Sequence, residues 1–102
     1  MAQYNVLISP EAQRLMGNCV LFLAQTDMDA ALRLKERLVE DIRRLERMPE
    51  RCPFFNELYL PANKYHKLFV EKYYLILYQI KDGVVHVDYV VDCRQDYRWL
   101  LL

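Results

Sequence analysis

The stretch YHKLFVEKYYLILYQIKDGVVHVDYVVD, residues 65–92, decides how this chain folds. It is dense in Tyr, Val, Ile, Leu and Phe, the side chains that suit a pleated, half-buried surface. Two breaks divide it. Glu71-Lys72 separates a strand expected over 65–71 from one expected over 73–80, and Asp82-Gly83 separates that from a strand over Val84–Asp92. Asp-Gly is a favoured two-residue hairpin loop because type I′ geometry needs positive φ at both positions. In the last strand Val85, Val87, Tyr89 and Val91 alternate with Val84, His86, Asp88 and Val90, one face apolar and one mixed. That alternation predicts an antiparallel meander with helices on one side only.

Working outward, residues 4–8 read as a short strand with Tyr4, Val6 and Ile8 on one face. Ser9-Pro10-Glu11 is a helix start: the serine caps, the proline fits the first helical position, and the acid favours the positive end of the dipole. Ala12, Leu15, Met16, Cys19, Phe22 and Leu23 then fall at spacings of three and four, one apolar stripe. Thr26-Asp27-Met28-Asp29 resembles a second capping signal. After it Ala31, Leu34, Leu38, Ile42, Leu45 and Met48 share a face, opposite Arg33, Glu36, Arg37, Glu40, Arg43, Arg44 and Arg47, and Pro49 ends the pattern. Two amphipathic helices joined by a short turn predict an antiparallel hairpin. Pro49, Pro53 and Pro61 mark 49–63 as an irregular connection. The fold expected is α+β in two layers: an N-terminal strand and a helical hairpin packed on a curved antiparallel sheet, one domain over 1–102.

Composition agrees. With 102 residues, 54% of them hydrophobic, the chain can bury a core, so disorder is excluded. No apolar run approaches the length of a membrane span, and Met-Ala-Gln-Tyr-Asn at the N-terminus is no secretory signal. Cys19, Cys52 and Cys93 lack paired spacing, which suits a reducing cytoplasm and argues against disulfides or a zinc site. Lys and Arg number 14 against 14 Asp and Glu, so nucleic-acid binding would need a local patch.

The arginines from Arg33 to Arg47 are interleaved with Glu36, Glu40, Asp41 and Glu46, and Glu40–Arg44 is a favourable i,i+4 pair. A solvated helix face is the reading that fits this interleaving. In the strand half, Lys64, His66, Lys67 and Lys72 are rejoined by Arg94 and Arg98, and a meander can gather them at one end of the sheet. Cations beside Tyr65, Tyr73 and Tyr97 suit an RNA backbone with a stacked base. Metal-free cleavage needs a base, an acid and cations for the phosphorane charge. His66 can supply acid or base, although an unpaired histidine is ordinarily a surface residue. His86 reads as structural. Cys93 beside Arg94 is a candidate for a depressed thiol pKa, against the plainer expectation of a packed strand-end thiol. There is no metal-ligand spacing, phosphate loop or serine-nucleophile motif, so no cofactor is expected.

Residues 4–12 (YNVLISPEA), the helical hairpin, residues 65–80 and the closing Arg94-Gln95-Asp96-Tyr97 together resemble the RelE/ParE superfamily of bacterial toxins, over almost the whole chain. The resemblance implies a helical hairpin on a curved antiparallel sheet, and a cytoplasmic toxin of a type II toxin–antitoxin pair held inactive by a cognate antitoxin. RelE-like members cut mRNA in the ribosome without metal; ParE-like members block DNA gyrase and lack that catalytic set. For a nuclease, the residues carried over are Lys64, Lys67, Arg94 and Tyr97, with His66 a weaker candidate. The arginine many nuclease members hold two positions into the 73–80 strand is replaced by Leu75. That departure and the long hairpin favour gyrase inhibition by protein binding, with the endoribonuclease as the alternative and a non-toxic relative as a third.

Surplus apolar side chains suggest where a partner docks. Leu32 and Val39 lie off the main helical seam, and Phe54, Phe55, Leu58, Tyr59 and Leu60 cluster in the connection. An exposed cluster of that kind marks an interface, unless the loop simply folds over the core.

Overall fold

The computed structural model describes residues 3–56 and 61–94. Strand β1 (Asn5–Ile8) leads into α1 (Pro10–Ala24) and α2 (Met28–Arg43), then 3₁₀ turns at Arg44–Glu46 and Pro49–Arg51. Strands β2 (His66–Val70), β3 (Tyr74–Lys81) and β4 (Val84–Asp92) follow. Both helix starts form as their sequences dictate. Ser9 Oγ accepts the Ala12 N–H at 3.0 Å with Pro10 in the first turn, and Asp27 Oδ1 accepts the Ala30 N–H at 3.0 Å. Each satisfies an amide that the helix leaves without a partner.

The sheet order is β1-β4-β3-β2. Strands β2, β3 and β4 form the expected antiparallel meander, but β1 pairs with β4 in parallel, Asn5 opposite Val84 through Ile8 opposite Val87. The sheet is therefore mixed rather than wholly antiparallel. A parallel neighbour needs a long crossover, and the helical hairpin is part of it. Asp82 and Gly83 have φ of 52° and 76°, the two positive values that the Asp-Gly loop predicts.

Apolar side chains of α1, α2 and the facing side of the sheet make the main core: Ala12, Leu34, Leu38, Leu45, Ile76, Tyr78, Val85 and Val87 among them. Two residues expected in the helical stripes lie outside it. Phe22 is 58% exposed while Val20 and Leu23 on either side of it pack against the core. Met48 is also exposed, because α2 stops at Arg43 and Met48 sits in the left-handed region (φ 49°), beyond the reach of helical periodicity.

Strict alternation fails in β4 as well. Leu77 pairs with Tyr89 but Tyr78 pairs with Val87, so Asp88 is an extra residue, a β-bulge. Val85, Val87 and Val90 therefore reach the helix side, whereas Tyr89 and Val91 join Phe55, Tyr65, Leu75 and Leu77 in a second, smaller core on the rear of the sheet. From the connection, Phe55 and Tyr65 pack on that rear face, whereas Cys52 packs against the main core.

Candidate functional site

At the end of β4 the chain turns over Cys93 and Arg94, and the turn brings the Arg94 side chain back onto Asp92. Arg94 donates from Nε to Asp92 Oδ1 and from Nη2 to Asp92 Oδ2, each at 3.0 Å, and its own backbone N–H donates to Oδ1 at 3.0 Å. Nη2 also donates to the Tyr74 hydroxyl at 2.8 Å. The guanidinium lies over Tyr73 and Tyr74, with centroids at 4.9 and 5.5 Å, and Lys72 Nζ stands 5.6 Å from the Tyr73 ring. Only 6% of the Asp92 side chain is exposed. Burial alone would raise its pKa, yet the hydrogen bonds from Arg94, with its positive charge, hold the carboxyl below its ordinary value. Arg94 is thus matched charge for charge. Three of the five N–H donors of the guanidinium, on Nε and Nη2, are engaged by Asp92 and Tyr74.

The lysines lie elsewhere. Because β2 and β4 both run antiparallel to β3, they are parallel to each other. The start of β2 therefore neighbours the start of β4, and Arg94 neighbours the turn after β2. His66 pairs with Tyr78, which pairs with Val87, whereas Val70 pairs with Tyr74 and through it with Asp92. Lys64 precedes β2 at the far end, its Nζ 5.3 Å from the Tyr65 ring. Lys67 falls on the rear face, one position along from His66 on the helix face. Lys72, not Lys64 or Lys67, shares the Arg94 corner. The gathering of cations expected from the sequence is not formed by the described residues, and Tyr97 and Arg98 lie outside them.

His66 is no surface residue. It is 7% exposed, its Nδ1–H donates to the Cys52 carbonyl at 2.7 Å, and its ring stacks on Tyr78 at 5.2 Å and leans on Phe54 at 4.3 Å. It fastens the connection to β2. Tyr78 does the same from below, donating to the Pro49 carbonyl at 2.6 Å. Among the tyrosines, burial, with the charges of Asp88 and Tyr89 beside it, pushes Tyr65 up to about 12, and burial raises Tyr74, so neither is poised as a base. At Cys93, burial, with the charge of Asp92 next, raises the thiol pKa, against the depressed value that Arg94 alone suggests. Among the described residues no cluster of His, Cys, Asp and Glu could hold a metal ion, and no helix is long and apolar enough to cross a membrane.

Of the apolar cluster expected to meet a partner, Phe55 is buried in the rear core and Phe54 is partly covered by His66. Leu58, Tyr59 and Leu60 lie outside the described residues. A concavity lies on α2. A groove of about 1110 Å³ runs along its outer face to the 3₁₀ turns, with Leu32, Val39 and Met48 exposed along it.

A family model described as ParE toxin of type II toxin–antitoxin system, parDE, matches residues 6–97. The chain belongs to the ParE toxin family. No curated protein sequence matches it. Among solved structures it is similar to a chain titled "Chromosomal ParDE TA system from P. aeruginosa", at 10% identity, with a TM-score of 0.74 over 90% of this chain and 98% of that one. At so low an identity the likeness is one of fold, and that ParE-type fold is the architecture described above. In this ParE family member, Asp92 as the partner of Arg94 was not among the residues expected from the sequence, whereas Leu32 and Val39, off the helical seam, were, and they line the α2 groove. The Asp92 pairing had a legible signal, an Asp-x-Arg spacing at a strand end. The groove itself is completed by the 3₁₀ turns after α2, which helical periodicity does not place.

Proposed function

We propose that this type II toxin acts by binding DNA gyrase through its surface, performs no chemistry, and is neutralised in the cytoplasm by a cognate antitoxin. The observation that supports this most is Arg94. The residue that would clamp a scissile phosphate in a nuclease relative is held by Asp92 and Tyr74, and Leu75, standing in place of a second arginine, is buried in the rear core. Electrostatic stabilisation of a phosphorane needs uncommitted cations aimed at one point.

One observation favours the other reading, a ribosome-dependent endoribonuclease. Lys64 and Lys67 form no ion pair among the described residues and so remain available to RNA. The experiment that separates the two is induction of the chain in cells, with DNA synthesis and protein synthesis followed independently. Early arrest of replication with gyrase trapped on DNA is the expected outcome. Prompt translational arrest with cut transcripts would replace it by the nuclease reading, and undisturbed growth would mark a relative that has lost toxicity.

A further inference from the structure

Strand β4 ends in a turn with a definite direction. The backbone N–H of Arg94 donates to Asp92 Oδ1 at 3.0 Å, so the chain curls over the Asp92 side chain, toward the face on which that side chain lies. Asp92 is in register with Tyr74, and Tyr74 with Val70. Directly opposed residues share a face, and Tyr74 and Val70 belong to the main core, so this is the helix side. The helix met there is α1, which packs on β4, and its Cys19 thiol feels the charges of both Asp92 and Arg94. Within the next turn of α1, Leu21 and Phe22 stand 67% and 58% exposed, two adjacent large apolar side chains without cover. Residues 95–102, QDYRWLLL, follow Arg94 and lie outside the described residues. Their sequence ends in four consecutive apolar side chains, Trp99-Leu100-Leu101-Leu102. Five extended residues span about 17 Å, whereas Cys19 and Phe22 are about 4.5 Å apart along the helix axis, so the seat is within reach of Trp99.

We infer that the C-terminal segment folds back over the end of α1, with Trp99 and the leucines after it seated on Leu21 and Phe22. The segment is the occupant because the chain leaves the sheet beside this seat, bending to the seat's side, with the apolar side chains needed to fill it. Tethered by a few residues, it also meets the seat at an effective concentration on the order of millimolar. The other apolar residue exposed near the exit is Phe69, at 53%, on the rear face in register through Leu75 with Val91. The curl over Asp92 leads away from it. The inference concerns the chain's own surface, and it holds whether the target is gyrase or mRNA.

Trp99 is the single tryptophan of the chain, so its fluorescence reports on the seat directly. The test measures emission maximum and acrylamide quenching of the full-length protein, at a low and a high protein concentration. The double variant Leu21→Ser/Phe22→Ser is compared with Phe69→Ser on the rear face and Val39→Ser on α2. All four side chains are exposed, so circular dichroism should report native folds; Phe22→Ala serves as a milder variant should the double one disturb α1. In the wild type, emission is expected to the blue of the urea-unfolded chain, with a several-fold lower quenching constant at both concentrations. Most of that protection should vanish in Leu21→Ser/Phe22→Ser and persist in Phe69→Ser and Val39→Ser. A wild-type Trp99 as open to acrylamide as in urea would overturn the inference and leave Leu21 and Phe22 free for a partner. Protection retained in the double variant but lost in Phe69→Ser would overturn it by moving the seat to the rear face. Loss in all variants alike would overturn it as a general loosening of the fold. Protection seen only at the high concentration would overturn it in favour of a second copy.

Discussion

Arg94 shows how one neighbour changes what a residue can do. In isolation it is a cation after the final strand; beside Asp92 it is half of a matched pair whose carboxylate is almost wholly enclosed. Removing the guanidinium by Arg94→Ala strands a buried carboxylate. The expected cost is about 1–2 kcal/mol, at the low end for breaking a buried pair because the guanidinium itself is half in water. A thermal melt checks it, and growth inhibition should survive once expression is matched. The pair also sets a pH dependence. The Asp92 carboxyl is held below its ordinary value, so its contribution is complete above the unfolded value of about 4 and is lost as the pH falls through the lowered one. The melting temperature of the wild type should therefore fall more steeply in that acid window than that of Arg94→Ala. Nearby, burial, followed by the charge of Asp92, pushes the Cys19 thiol up to about 11, and Cys93 is raised as well. Iodoacetamide at pH 8 should label both more slowly in the native protein than in urea, read by mass spectrometry.

Between elements, much was legible from local chemistry. Ser9-Pro10 and Asp27 announced the two helix starts, Asp82-Gly83 announced its hairpin, and the Glu40–Arg44 pair formed as its spacing predicts, at 2.7 Å. What local pattern did not reveal were relations between distant segments. Nothing in residues 5–8 says that they pair in parallel with 84–87, and nothing in the run of valines says that Asp88 is an extra residue. A one-residue insertion flips the facing of everything after it, which is why Tyr89 and Val91 left the side their alternation assigned. The site suffered most. A gathering of lysines around Arg94 depends on strand direction, and the parallel relation of β2 and β4 sends Lys64 to the other end. Leu75 illustrates the consequence for function. It is 1% exposed beneath Phe55, Tyr65 and Leu77, so Leu75→Arg, meant to restore a nuclease-like arginine, would instead bury an unpaired charge. Destabilisation of about 3–5 kcal/mol is expected, measured by urea unfolding, with no RNA cleavage gained.

At the scale of the molecule, the chain is a helical hairpin on one side of a sheet and a loop-covered apolar patch on the other. Three of its polar side chains are engaged internally: Arg94 on Asp92, His66 on Cys52, Tyr78 on Pro49. Among the described residues, exposed apolar side chains include Leu32, Val39 and Met48 along the α2 groove and Leu21 and Phe22 near the end of α1, the last two at 67% and 58% exposure. The most direct measurement is a supercoiling and cleavage assay with purified gyrase, run in parallel with mRNA on translating ribosomes. Loss of supercoiling with gyrase-bound DNA breaks, and intact mRNA, is the predicted result; cut mRNA with gyrase unaffected would contradict it.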